Sequence, residues 1–253
     1  MKATFVIIAA LLGSVNAWSA ENKESRVYEL RTYYAPAGRL DDLHARFRNH
    51  TLQLFEAHGF TNIGYWVPLE NPGNKLVYLI AFPSREAQAQ AWKDFLADPK
   101  WKEVKAKTEA NGKIVDKIES VTMAATDYSP AVKVTAQGDR VFELRTYTAA
   151  PGRLKHLNAR FRDHTLKLFE KYGMTNVGYF VPLAEQPGAD NTLIYLLSHK
   201  STEAAKSSFD AFRQDPAWVE ARKASEEKAG GSLTIPDGVK SEFLKATDYS
   251  PLR

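Results

Sequence analysis

The chain contains no cysteine. That removes disulfides, thiolate nucleophiles and Cys-ligated zinc or iron–sulfur clusters from consideration. Long apolar runs are scarce as well. The longest, Ala3 to Val15 (ATFVIIAALLGSV), is too short to cross a bilayer as a helix, so no stable membrane span is expected. Neither sign of charge forms a block. Lys/Arg and Asp/Glu alternate along nearly every segment, and a pI near 9.0 without a basic cluster does not point to nucleic acid. HExxH, G-x-S-x-G, a P-loop and G-x-G-x-x-G are all missing. No close His/carboxylate cluster suggests a metal site.

What remains is a globular composition, with 44% apolar and 25% charged residues in 253. That is enough chain for one large domain or two of half the size. The N-terminus reads as an export leader. Met1-Lys2 gives a positive start, the apolar run follows, and Val15-Asn16-Ala17 places small residues where a signal peptidase reads. Residues 1–17 are therefore expected to be a signal peptide, and the mature chain to be periplasmic or secreted.

The dominant feature is a repeat. VYELRTY at Val27 returns as VFELRTY at Val141, an offset of 141 − 27 = 114. Residues 44–69 and 158–183 agree at 18 of 26 positions. Tyr78 and Trp101 find their counterparts at Tyr195 and Trp218, both 117 on, and ATDYSP recurs at Ala125 and Ala246, 121 on. The repeat spans almost the whole mature chain, so it is a duplicated domain and not a solenoid.

Each copy reads β-α-β-β-α-β. The alternating VYELRTYYA predicts a strand, and a helix follows from about Arg39 to His58, with Gly59 suited to end it. NIGYWVPL and KLVYLIAF flank an Asn-Pro-Gly-Asn turn, which predicts a hairpin. Ser84 suits a helix N-cap, and Asp98-Pro99 and Asp215-Pro216 predict further helix starts. This order fits a ferredoxin-like α+β domain, 26–128 and 140–253, joined by a linker at 129–139. Its sheet leaves one face for a partner, and the second copy is the natural one. Two ferredoxin-like β-α-β-β-α-β domains forming a pseudo-dimeric α/β barrel are expected.

On the first helix, Leu40, Leu43, Phe47 and Leu54 form an apolar stripe, with His50 in the gap. Leu154, Leu157, Phe161, His164 and Leu168 repeat it. Both histidines are thus expected to face the sheet, either as neutral core imidazoles bonded to a carbonyl or tyrosine, or as groups at a ligand pocket. Arg46 and Arg160, one turn earlier, either flank such a pocket or, as the favoured reading, form a solvated helix edge. Glu29 and Arg31 share a strand face with Tyr33, as Glu143 and Arg145 do with Tyr147. On the sheet–sheet side they would be buried in the barrel seam, fixing register or offering Arg31 and Arg145 to an anionic group. Tyr65, Tyr78, Tyr179 and Tyr195 on the central hairpins either fill a core or line a pocket for a flat, partly polar ligand. His44, His58 and His199 differ between the copies and look unsuited to a shared role. Asp127 and Asp248 read as strand-end turns, and Trp101 and Trp218 as anchors for the short helices.

ELRTY, then PGRL, then RF…HTL…LFE…G…NVGY(F/W)VP and a strand ending in LVYL resemble the NIPSNAP family. The resemblance covers both copies. It implies the dimeric α/β-barrel fold, and no settled activity. Eukaryotic members are mostly linked with mitochondria and protein partners. Barrels of the same fold include haem-degrading and quinone-forming monooxygenases and haem-dependent chlorite dismutases. Binding of a small molecule or a protein partner is therefore expected. The alternative is an oxidoreductase, monooxygenase-like or haem-dependent, with His50 and His164 at its site. Further association into a homo-oligomer stays open.

Overall fold

A computed structural model describes residues 26–136 and 138–253. The expected leader, residues 1–17, lies outside them. The first half carries β1 (Val27–Tyr34), a helix α1, β2 (Thr61–Pro68), β3 (Lys75–Phe82), α2 (Arg85–Ala97), α3 (Pro99–Thr108) and β4 (Lys117–Ala125). The second repeats it with β5 (Val141–Ala149), α4, β6 (Thr175–Pro182), β7 (Thr192–His199), α5 (Thr202–Gln214), α6 (Pro216–Ala229) and β8 (Thr234–Ala246). Helix α1 runs Leu40–Arg46, a π turn Phe47–Thr51, then Leu52–Ala57. Helix α4 has the same three parts: Leu154–Arg160, Phe161–Thr165 and Leu166–Lys171.

The local signals act as expected. Ser84 and Ser201 accept hydrogen bonds from the amides of Ala87 and Ala204, capping α2 and α5. Asp98 and Asp215 do the same for Lys100 and Ala217, each followed by proline at the first helical position. Asn74 closes the β2–β3 turn onto the Asn71 carbonyl at 3.2 Å.

The strands close an antiparallel barrel in the order β1-β3-β2-β8-β5-β7-β6-β4. Each half contributes four neighbouring strands, β4-β1-β3-β2 and β8-β5-β7-β6. At the two junctions the last strand of one half pairs with the other half. Trp66 lies opposite Ala246 on β2 and β8, and Ala125 opposite Phe180 on β4 and β6. Among the described residues no sheet edge is left open, which protects against edge-to-edge association.

The barrel interior is apolar and filled. Tyr28, Leu79, Met123, Phe142, Leu196 and Leu244 pack there with Trp66 and Phe180. The void left is about 10 Å³, barely room for one water. Gly64 and Gly178 permit this packing. A Cβ on Gly64 would lie 2.3 Å from the Trp66 indole, and one on Gly178 2.7 Å from the Phe180 ring. Two further cores lie outside the barrel, between each half's helices and its sheet. Among the described residues no helix is long and apolar enough to cross a membrane.

Candidate functional site

With the barrel full, open volume lies on its outer face. Alternation along β1 sends Tyr28 and Leu30 inward and Glu29, Arg31 and Tyr33 outward, beneath the helices. The barrel-seam placement of Glu29 and Arg31, and of Glu143 and Arg145, is thereby corrected. Apolar residues claim the interior, so the charged pairs take the face that helices cover only partly.

In the first half this face opens into a cavity of about 730 Å³ between α2, α3, β1 and β4. Glu29 sits at its base, 3% exposed. One carboxylate oxygen pairs with Arg31. The other accepts hydrogen bonds from Gln88 Nε2 at 2.6 Å and Trp92 Nε1 at 2.8 Å. With both oxygens occupied, Glu29 holds Arg31 in place and is poorly suited to accept a substrate proton. The Arg31 guanidinium lies 4.4 Å from the centre of the Trp92 ring.

Arg46 forms a second cationic wall. It is buried and does not lie on a solvated edge, and its Nη1 donates to Glu109 at 2.8 Å. Its guanidinium lies 5.2 Å from the Trp101 ring, and Trp101 in turn packs on Phe95 at 4.5 Å. The π turn explains why sequence periodicity misplaced this helix. The amide of Leu52 donates to the Phe47 carbonyl, five residues back. The extra residue rotates the following face by about 100°. The buried positions then step 43, 47, 51 and 55, and His50 turns to solvent. The same turn at Phe161–Thr165 buries Thr165 and exposes His164. The expectation that His50 and His164 face the sheet is corrected on this ground.

The four tyrosines are core. Tyr65 stacks on Tyr78 at 5.3 Å, Tyr179 on Tyr195 at 5.0 Å, and all four are fully buried. None lines the first-half cavity, where Tyr33 is the tyrosine present. Burial raises all four hydroxyls well above the ordinary phenol value.

The second half builds its carboxylate cradle differently. Glu143, 1% exposed, pairs with Arg145 and with His199 Nε2 at 2.9 Å, and accepts from Ser241 Oγ at 2.5 Å. Phe82 stands in the first half where His199 stands in the second. Ala205 and Phe209 replace Gln88 and Trp92. Burial opposes ionisation of Glu143, but His199, Arg145 and Ser241 together hold its carboxyl below the ordinary value. Sequence reasoning set His199 aside because it is not shared, and passed over Gln88 and Trp92. The signal was there as a compensated exchange, three positions at one offset converging on the same repeated glutamate. Among the described residues no group of three or more His, Asp or Glu is arranged to hold a metal ion.

The NIPSNAP family model matches residues 28–130 and 142–251. A Dictyostelium discoideum protein named NipSnap homolog is 26% identical over 202 residues, covering 78% of this chain and 80% of its own. Among solved structures, an anthrone oxidase-like protein aligns with a TM-score of 0.55 at 12% identity, covering 89% of this chain and 93% of its own. A candidate monooxygenase from Fusobacterium nucleatum aligns with a TM-score of 0.54 at 9% identity, covering 88% and 93%. At these identities the structural likeness speaks to the fold alone.

Proposed function

The chain belongs to the NIPSNAP family, and from that premise we propose that its first half binds a small organic anion with a flat apolar body. The observation that carries this reading is the 730 Å³ cavity in which two guanidiniums, the half-buried Arg31 and the buried Arg46, stand against two indoles, Trp92 and Trp101. Its size falls within the roughly 300–1,000 Å³ of small-molecule sites. Guanidiniums match carboxylate-type anions, and the indoles offer a planar apolar wall. The occupied oxygens of Glu29 favour binding over turnover.

In the same reading the two halves are ferredoxin-like copies of one domain, paired as a pseudo-dimer. Residues 1–17 act as an export leader, so the site works in the periplasm or outside the cell.

The test is native mass spectrometry of the chain exported with its own leader, followed by tryptophan fluorescence titration with 1-naphthoate. A saturable change that Arg46→Gln and Trp92→Ala both weaken supports the reading. A clean apo mass with no saturable change, or equal binding by Arg46→Gln, overturns it.

A further inference from the structure

The duplicated cavity in the second half has a different character. It lies under α5 and α6 and measures about 230 Å³, below the usual small-molecule range and equal to about eight waters of liquid volume. Arg145, Arg160, Arg213 and Arg222 line it, with Glu226 as the carboxylate among the lining residues. At the shared offset of 117, Arg213 replaces Leu96, Arg222 replaces Lys105 and Phe209 replaces Trp92. The exchanges remove a flat indole wall and bring in two guanidiniums, one of them a net added cation.

Arg160 is the central observation. It is 7% exposed, and among the described residues its Nε and Nη1 have no hydrogen-bond partner. The Glu226 carboxylate lies 3.6 Å from Nη1, too long for a hydrogen bond. The same Glu226 oxygen lies 3.3 Å from Nε of Arg222. One carboxylate is thus divided between two guanidiniums. In the first half the equivalent Arg46 has Glu109 at 2.8 Å. Arg145 and Arg213 are matched by Glu143 and Asp210, so the surplus cation sits at the Arg160–Arg222 pair.

We infer that this second cavity is a site for a compact tetrahedral oxyanion, phosphate or sulfate, free or as the head of a small ester, held by Arg160 and Arg222. The oxyanion supplies the negative charge that Glu226 only half provides, and its oxygens take the unpartnered donors of a buried guanidinium. Burial pushes the Arg160 guanidinium below its ordinary value, with Arg222 adding to that push against Glu226 and Tyr147. A bound anion relieves both effects. The duplication then yields two unlike anion sites, one for a flat organic body and one for a small inorganic-type group. The two cavities are separate, so either reading can fail alone.

Calorimetric titration of the full chain with inorganic phosphate, sulfate and acetate tests it. Saturable 1:1 binding of phosphate or sulfate is expected, with acetate weaker. Arg222→Gln, on an exposed helix face, should weaken it at least about tenfold by returning Glu226 wholly to Arg160. Glu226→Gln should tighten it, and Arg46→Gln in the first half should leave it unchanged. Opposite signs for Arg222→Gln and Glu226→Gln separate a site from a general loss of structure. No saturable heat at millimolar phosphate or sulfate, acetate binding as tightly as phosphate, or equal affinity in Arg222→Gln overturns the assignment.

Discussion

Arg48 clasps Asp248 from the far end of the chain through two hydrogen bonds, Nε to Oδ2 at 2.7 Å and Nη2 to Oδ1 at 2.6 Å. Arg162 and Asp127 repeat the pair at 2.7 and 2.6 Å. Each TDYSP segment therefore closes on the first helix of the other half. Tyr249 meets His44 Nδ1 at 2.7 Å, and Tyr128 donates to Asn158 at 2.6 Å. Ser250 and Ser129 accept from the amides of Tyr65 and Tyr179 at 2.8 and 3.0 Å. A motif that reads as a strand-end turn is the fastening between the halves.

This arrangement predicts two unequal effects. Arg48 and Asp248 are 41% and 66% exposed, so solvent and salt screen their attraction. Arg48→Ala should cost about 0.5–1 kcal/mol in urea denaturation, less at high salt. Removing Ser250–Arg253 should cost about 3 kcal/mol or more, because it strands the Tyr65 amide and takes away the buried Leu252, uncovering the apolar residues packed against it. Equal losses from both changes would show that the segment adds no more than its ion pair.

The π turns predict that the threonines matter and the histidines do not. Thr51 and Thr165 are buried, and their hydroxyls donate to the carbonyls of Arg46 and Arg160 at 3.2 and 3.1 Å. Thr51→Val and Thr165→Val should each cost about 1 kcal/mol. His50→Ala and His164→Ala, on the exposed face, should stay within about 0.5 kcal/mol of wild type. Thermal melts that rank the histidine variants as the more damaging pair would place the helix in a different phase.

These cases mark what the sequence could and could not reveal. Repetition exposed the duplication, and Ser84, Asp98-Pro99 and the Asn-Pro-Gly-Asn turn act through local chemistry that the sequence displays directly. The π turn leaves no comparable mark, since one extra residue in FRNHT or FRDHT changes phase without changing composition. Strand alternation separated Glu29 and Arg31 from Tyr28 and Leu30. It could not say which face was inward, because both faces of this sheet are covered by apolar groups. His199 is invisible to a comparison of the two copies, because the repeat marks residues common to both halves, whereas the two carboxylate cradles differ.

Glu143 should make the second half sensitive to acid. Its folded carboxyl sits below the ordinary value. The unfolded chain therefore binds that proton first as pH falls, so the group's stabilisation is present above about pH 4.3 and fades as pH drops through the folded value. Glu143→Gln should lower stability near neutrality by about 3 kcal/mol, leaving the half-buried Arg145 and the buried His199 poorly paired. It should also flatten the acid limb of a plot of Tm against pH. Parallel curves for variant and wild type would show that Glu143 does not carry this dependence.

The two cradles should be partly interchangeable. Glu29 draws donors from Gln88 and Trp92 on α2, whereas Glu143 draws them from His199 on β7 and Ser241 on β8. Gln88→Ala with Trp92→Phe in the first half removes both α2 donors, at a cost of about 2–4 kcal/mol, because a buried carboxylate oxygen loses its partners. Phe82 faces Val27 across β3 and β1 as His199 faces Val141 across β7 and β5. Adding Phe82→His therefore brings an imidazole to the same oxygen, and should recover about 1 kcal/mol or more. Phe82→His alone meets an oxygen already saturated by Gln88 and Trp92 and should destabilise, so the substitutions couple strongly instead of adding. Urea denaturation of the single, double and triple variants measures that coupling. A triple variant no more stable than the double would show that each half's cradle is fixed by surroundings beyond these three positions.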